Sequence, residues 1–329
     1  MPKSLLSRLK NKLVIGLALG GLVFIGLSLY SDFNKLLESF RSFHWAFAPL
    51  LLVLSFSNYI IRFFKWDYYL KVLKIHLPKR DSAVCFFTGL VMTISPGKMG
   101  EVLKSYFLKQ LNGTPFSVSA PIVVAERLTD FLALVILCAG GIFVATFSRE
   151  VWAIVIVVIF IASFLIVIGS RKLSLGIISL MERWGPIAKI GHKLRAAYES
   201  TYAMVRFRHL LVATLLSVAA WFCECCGLYV TLLSFQGNSG ILLVTFIYAL
   251  STMAGAITML PGGLGATEVS MAALIAKMAD VAKNDAIAAT LIIRAATLWF
   301  AVLVGAVVLI ASQKRFEKVG EYFEEGLKE

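Results

Sequence analysis

Residues 95–101 read SPGKMGE and residues 260–268 read LPGGLGATE. Twice, an otherwise apolar chain presents Pro-Gly, a further glycine and then a glutamate. Hydrocarbon tolerates bent backbone only where protein buries it or where it lines a wet cavity. How the chain handles these two interruptions decides its fold.

The surrounding sequence is 59% hydrophobic, with a mean hydropathy of +0.84. Several apolar runs approach the roughly 20 residues that cross about 30 Å of hydrocarbon. The class expected is an all-α polytopic membrane protein. The first run, 13–30, follows Lys3, Arg8, Lys10 and Lys12 and ends without a small-x-small cleavage site, so it reads as a retained span. The five cysteines (Cys85, Cys138, Cys223, Cys225 and Cys226) lie in apolar segments, where thiols pack as small hydrophobes. No disulfides are expected, and the spacing of the last three is not a zinc-ligand pattern.

A formal charge of +13 could suggest nucleic acid, but the basic residues gather between apolar runs, on one side. No nucleic-acid partner is expected. With the N-terminus inside, 13–30 exits, 31–43 is external and 45–61 returns. Arg62, Lys65, Lys71, Lys74, Lys79 and Arg80 are then internal. Arg62, Lys65 and Trp66 read as inner-interface markers, and Trp45 and Trp152 as outer ones. The linker 170–209 carries Arg171, Lys172, Arg183, Lys189, Lys193, Arg195, Arg206 and Arg208 and is assigned to the cytoplasm. Lys314, Arg315 and Lys318 place the charged tail, 312–329, there as well. Both termini are expected to be cytoplasmic, in the cell (inner) membrane.

These anchors constrain the rest. Spans 120–147 and 151–168 leave both ends of 82–111 inside. The first arm of that segment, 83–94, is about half a span, and its second carries Lys98, Glu101, Lys104 and Lys109. A re-entrant hairpin with SPGKMGE at its tip fits better than two crossings. Spans 210–235 and 287–311 likewise leave both ends of 241–279 outside, which makes LPGGLGATE the tip of a second hairpin from the opposite face. The expectation is six full spans plus two re-entrant helical hairpins, eight to ten helical membrane segments in all, forming one membrane domain over 1–329.

Arg127 follows Glu101 by 26 residues, and Arg294 follows Glu268 by the same 26. With the matching order of spans, this divides the chain into a first repeat, 13–147, and a second, 151–311. Three crossings per half invert the second, an arrangement whose substrate sites lie near the midplane between broken helices. At each tip a Pro-Gly turn opens a helix, so backbone amides and the positive dipole end attract phosphate or carboxylate. Lys98 adds charge to the first tip, and Gly263 holds the equivalent place in the second. Each glutamate is either a first-turn dipole partner or the ion-pair partner of its own arginine. Arg127 and Arg294, roughly eight residues or about 12 Å into their spans, need partners or water. AERLTD also supplies Glu126 and Asp130. Glu224, midway along another span in WFCECC, reads equally as a proton-binding group and as a protonated structural glutamate.

SPGKMGEVLKSY followed by AERLTD, and LPGGLGATE followed by an arginine-bearing span, resemble the flippase-like integral membrane family related to the transmembrane part of lysylphosphatidylglycerol synthase, also called multiple peptide resistance factor. The resemblance covers nearly the whole chain and rests on these two blocks. It implies a translocator or binder of membrane lipids with anionic or modified head groups, lipid-linked sugars included. It carries a substrate site onto Pro96, Gly97, Lys98, Gly100, Glu101, Glu126, Arg127 and Asp130, and onto Pro261, Gly262, Gly265, Glu268 and Arg294. Only 18 residues follow Ala311, so the aminoacyl-transferring domain of that synthase is expected to be missing.

Lipid translocation is the expected function, and no cofactor or metal is expected. A head-group enzyme is the weaker alternative: His44, His76, His192 and His209 fall at interfaces or in loops, and no nucleophile-histidine pair appears. A scaffold for a lipid-modifying enzyme is a third, and a homo-oligomer is left open.

Overall fold

The computed structural model describes residues 18, 20–26, 33–94, 103–142, 170–181, 191–237 and 239–312. The expected first tip, with Pro96, Gly97, Lys98, Gly100 and Glu101, lies outside them. So do most of 13–30, all of 151–168 and the tail after Ser312.

Among the described residues every regular element is helical. In chain order they are α1 (20–26), α2 (Phe33–Ser42), α3 (Ala48–Val72), α4 (Lys79–Gly89), α5 (Leu103–Asn112), α6 (Phe116–Ser119) and α7 (Pro121–Ile142). Then come α8 (Arg171–Met181), α9 (Gly191–Val205), α10 (Phe207–Ser234), α11 (Ile241–Ile257), α12 (Ala266–Met278) and α13 (Lys283–Ala311). α2 occupies most of the segment 31–43, and α8 and α9 occupy most of the linker 170–209.

Among the described residues, three helices are long and apolar enough to cross a bilayer: Trp45–Val72, Phe207–Ser234 and Lys283–Ala311. Val53, Phe64, Leu215, Leu303 and Val307 on these helices are all exposed, as lipid contact requires and water would penalise. α7 spans 22 residues and carries Glu126, Arg127 and Asp130. α11 and α12, of 17 and 13 residues, form a helical hairpin whose arms fall short of the roughly 20 residues of a full crossing.

α3 and α10 pack antiparallel. The Asn58 amide donates to the Ala220 carbonyl at 2.8 Å, Lys65 to the Ser217 hydroxyl at 2.7 Å, and the Tyr68 hydroxyl pairs with His209 Nδ1 at 2.7 Å. Partner numbers fall along α10 as they rise along α3. One apolar cluster, including Leu134, Leu228, Phe246, Met271 and Ile293, joins α7, α10, α11, α12 and α13. A second, including Trp66, Phe86, Leu108 and Leu309, joins α3, α4, α5 and the end of α13.

The second cluster depends on Gly305. A Cβ there would stand 2.5 Å from the Val91 amide nitrogen and 3.0 Å from the Phe87 carbonyl oxygen. Backbone cannot swing aside as a side chain can, so the added methyl must push α13 off the short 3₁₀ turn Leu90–Ile94. Gly305→Ala should destabilise the protein by about 1–3 kcal/mol, measured as the unfolding midpoint in detergent. Gly140→Ala, where nothing lies within 4 Å, is the control and should be neutral or slightly stabilising.

α13 is not a uniform helix. Immediately after Arg294 it widens into a π-helical turn, Ala295–Trp299. A widened turn leaves backbone carbonyls to find outside donors. Here the Tyr59 hydroxyl donates to the Thr297 carbonyl at 2.5 Å, tying α3 to α13 beside the arginine.

Candidate functional site

Arg62, Lys65 and Trp66 do not mark a membrane interface. α3 runs past residue 61 to Val72 and carries them into the protein, where Lys65 and Trp66 are 0% exposed and Arg62 is 8% exposed. The carboxylates that make this tolerable come from α7. Lys65 Nζ lies 2.6 Å from Asp130 Oδ1, and also donates to the hydroxyls of Ser217 at 2.7 Å and Thr129 at 3.3 Å. Asp130 further faces Arg127 at 3.3 Å, one turn back on its own helix, and Arg62 at 3.7 Å. One buried carboxylate thus anchors three cations.

Glu126 has a different partner. Lys104, on α5, donates to its Oε2 at 2.6 Å and stands over the Trp66 ring at 4.7 Å. Both charges are buried, and the indole adds a cation–π contact. This pair closes α5 onto α7 and α3.

The LPGGLGATE tip has its own ion pair. Glu268 divides its oxygens: Oε1 accepts from Arg294 Nε at 2.5 Å and Oε2 accepts from the Gly265 amide at 2.6 Å. Arg294 also donates to the Gly262 carbonyl at 2.8 Å. The turn needs glycine, because Gly262, Gly263 and Gly265 have φ of 62, 67 and 88°. Some of the tip's amides are used within it. The Gly263 and Leu264 amides donate back to Leu260 and Pro261, and Glu268 takes that of Gly265. The Arg294 guanidinium faces the cavity beside this turn.

The two ionic systems face one cavity of about 260 Å³. Arg62 and Tyr59 line it from α3, Arg127 and Asp130 from α7, Glu224 from α10, Tyr248 from α11, Gly262 and Gly263 from the tip, and Arg294 from α13. Glu224 accepts from the Tyr248 hydroxyl at 2.5 Å. Arg294 and Glu268 also form one wall of a neighbouring apolar groove of about 640 Å³, lined by Phe24, Leu52, Trp299 and Leu303 among others. Arg294 borders both spaces.

Of the residues singled out in the sequence, Arg127, Asp130, Glu224, Gly262 and Arg294 line the cavity. Glu268 stands behind Arg294, Glu126 is held by Lys104 away from the cavity, and Pro261 and Gly265 shape the tip without lining it. The sequence reading passed over Arg62, Lys65, Tyr59 and Tyr248 as site residues. The signal in α3 was a period: Tyr59, Arg62, Lys65 or Trp66, and Tyr69 recur at three or four residues and form one polar stripe. An interfacial flank has no need of such a stripe.

Three arginines thus border one partly polar, partly open cavity of a helical membrane protein, with an apolar groove beside it. Residues 13–305 match the lysylphosphatidylglycerol synthase TM region, and the chain belongs to that family. It is 22% identical to a UPF0104 membrane protein of Methanothermobacter thermautotrophicus, over 89% of this chain and 91% of that one. A UPF0104 membrane protein of Methanocaldococcus jannaschii is 26% identical over 69% of this chain and 96% of its own. One of Pyrococcus horikoshii is 24% identical over 82% of this chain and 88% of its own.

Proposed function

We propose that the protein translocates a membrane lipid with an anionic or modified head group, binding that head group in the cavity between the two tips. The observation that carries this reading is the convergence of Arg62, Arg127 and Arg294 on one cavity. Guanidinium groups recognise phosphate through paired N–H donors. The adjoining groove, sharing Arg294 and Glu268, fits an acyl chain that stays in an apolar setting while the head group sits among charges.

In this reading the two hairpins are re-entrant and enter from opposite faces, and the inverted halves rock to expose the cavity alternately. Both termini and the basic linker face the cytoplasm, where the linker rests on anionic lipid. Lys98 at the first tip supplies a further cation to the phosphate. The reading assigns transport rather than chemistry to this chain.

Reconstitution tests it. Vesicles containing the protein should move fluorescent phosphatidylglycerol between leaflets faster than empty ones. Lys98→Ala should slow that transfer by about 10-fold or more, the worth of one charge-assisted hydrogen bond, with an unchanged unfolding midpoint. Transfer equal to that of empty vesicles overturns the function, and unimpaired Lys98→Ala overturns that residue's role. Chemically altered lipid recovered from the vesicles would instead identify a head-group enzyme.

A further inference from the structure

A third space, of about 620 Å³, opens between α1, α12 and the start of α13. Ala272 and Ile287 make its floor, at 7% and 2% exposure, and Val269 stands exposed at its rim. Among the described residues that line it, only Lys277 and Lys283 carry charge. Asp280 and Asp285 are near in sequence, but neither lines it. Gly265 and Lys277 both border the groove and lie roughly 12 residues apart along α12, or about 18 Å. The lysines therefore hold the end away from the tip. Lys283 opens α13, a helix long enough to cross the bilayer, and such a helix begins at a membrane face.

We infer that this groove is a second lipid site, separate from the arginine cavity, and that its occupant is an anionic glycerophospholipid. The phosphate sits between Lys277 and Lys283, and an acyl chain runs along α12 toward Gly265. Basic residues clustered between membrane helices hold anionic head groups, here through charge-assisted hydrogen bonds from two ammonium groups. Both lysines also interact within the protein. An ammonium has three donors and can serve a phosphate beside such a partner. A lysine that only anchors a helix end at the interface needs no apolar cleft next to it.

Distance separates this site from the cavity. Arg294 follows Lys283 by 11 residues on the same helix, about 16 Å further into the membrane, so one phosphate cannot meet both. The site does not depend on the head-group reading. The grooves nevertheless adjoin: Val23 lines both this one and the one bordered by Arg294. A Cβ on Gly265 would stand 3.7 Å from the Val23 side chain. A lipid held at the lysines thus has its chain beside the groove that reaches Arg294.

Native mass spectrometry of the detergent-solubilised protein, titrated separately with dioleoyl phosphatidylglycerol and dioleoyl phosphatidylcholine, reads each bound lipid by its mass. Lys277→Gln with Lys283→Gln should weaken phosphatidylglycerol at one site by about 30-fold, the combined worth of two cations near a lipid surface, and leave phosphatidylcholine unchanged. Both side chains are exposed, so the unfolding midpoint should not move. The same weakening is expected when Arg294→Gln and Glu268→Gln are already in place. Ala276→Trp, at an exposed position of the groove, fills it with the lysines intact and should weaken both lipids. Unchanged phosphatidylglycerol binding in the lysine variant, an equal loss of phosphatidylcholine, or no effect of Ala276→Trp overturns the inference. So does a lysine effect that vanishes in the Arg294→Gln, Glu268→Gln background, because the lysines would then act on the cavity.

Discussion

Asp130→Ala is expected to destabilise the protein by about 3–5 kcal/mol, the cost of stripping a partner from a buried charge. Lys65, fully buried, would keep only the Ser217 and Thr129 hydroxyls and the Glu126 carbonyl. Arg62 and Arg127 would lose the carboxylate they share with it and would repel each other and Lys65. Lys65→Met should cost clearly less, because Asp130 would still face Arg127 at 3.3 Å and Arg62 at 3.7 Å and the methionine fills the lysine's apolar path. The asymmetry is the informative part. Equilibrium unfolding in mixed detergent micelles measures both, and equal effects of the two substitutions would show that Asp130 does not hold the arginines.

The same cluster marks where the sequence is readable and where it is not. Glu268 and Arg294 lie in separate helices, yet a helix-opening Pro-Gly turn before one and an apolar run around the other made each conspicuous, and their pairing is found at 2.5 Å. Glu101 and Arg127 repeat the spacing, and Arg127 is seen to face Asp130. Arg62 and Lys65 read as interface markers because a cation just after an apolar run has a ready explanation as an anchor. What sets them inside is length: α3 continues to Val72, so its later turns pack against α7 and α10 instead of ending in an exposed loop. Lys104 and Glu126 could not be paired from sequence, since the helices that bring them together are joined by a turn whose direction no local pattern records. Tyr248 looked like one more apolar residue of a short hydrophobic arm until its hydroxyl met Glu224.

The second tip adds a side chain to this picture. Open amides seemed the anion-binding element because a helix begins at each tip. In the second tip Glu268 takes the Gly265 amide at the start of the new helix and also holds Arg294. Arg294 is braced by both Glu268 and the Gly262 carbonyl, which fixes the guanidinium plane against the cavity wall. A guanidinium held in place loses little freedom when it meets a phosphate, and that preorganisation is what makes it a better receptor than a mobile lysine.

Arg294 is therefore expected to show the largest effect on transfer, provided its structural and binding roles are separated. Arg294→Ala alone would leave Glu268 buried without its cation, so lost activity could follow from lost folding. The double substitution Arg294→Gln with Glu268→Gln removes both charges while preserving amide hydrogen bonding to the Gly265 N–H and the Gly262 carbonyl. Its unfolding midpoint should stay within the equivalent of about 1 kcal/mol of the parent, whereas lipid transfer should fall by about 10- to 150-fold, the loss of about 1.5–3 kcal/mol of charge-assisted hydrogen bonding to the head group. Arg294→Ala should lose both properties. A double variant that folds and transfers lipid at the parental rate would make the pair a clamp for the tip and nothing more. Phosphate recognition would then fall to Arg62 and Arg127.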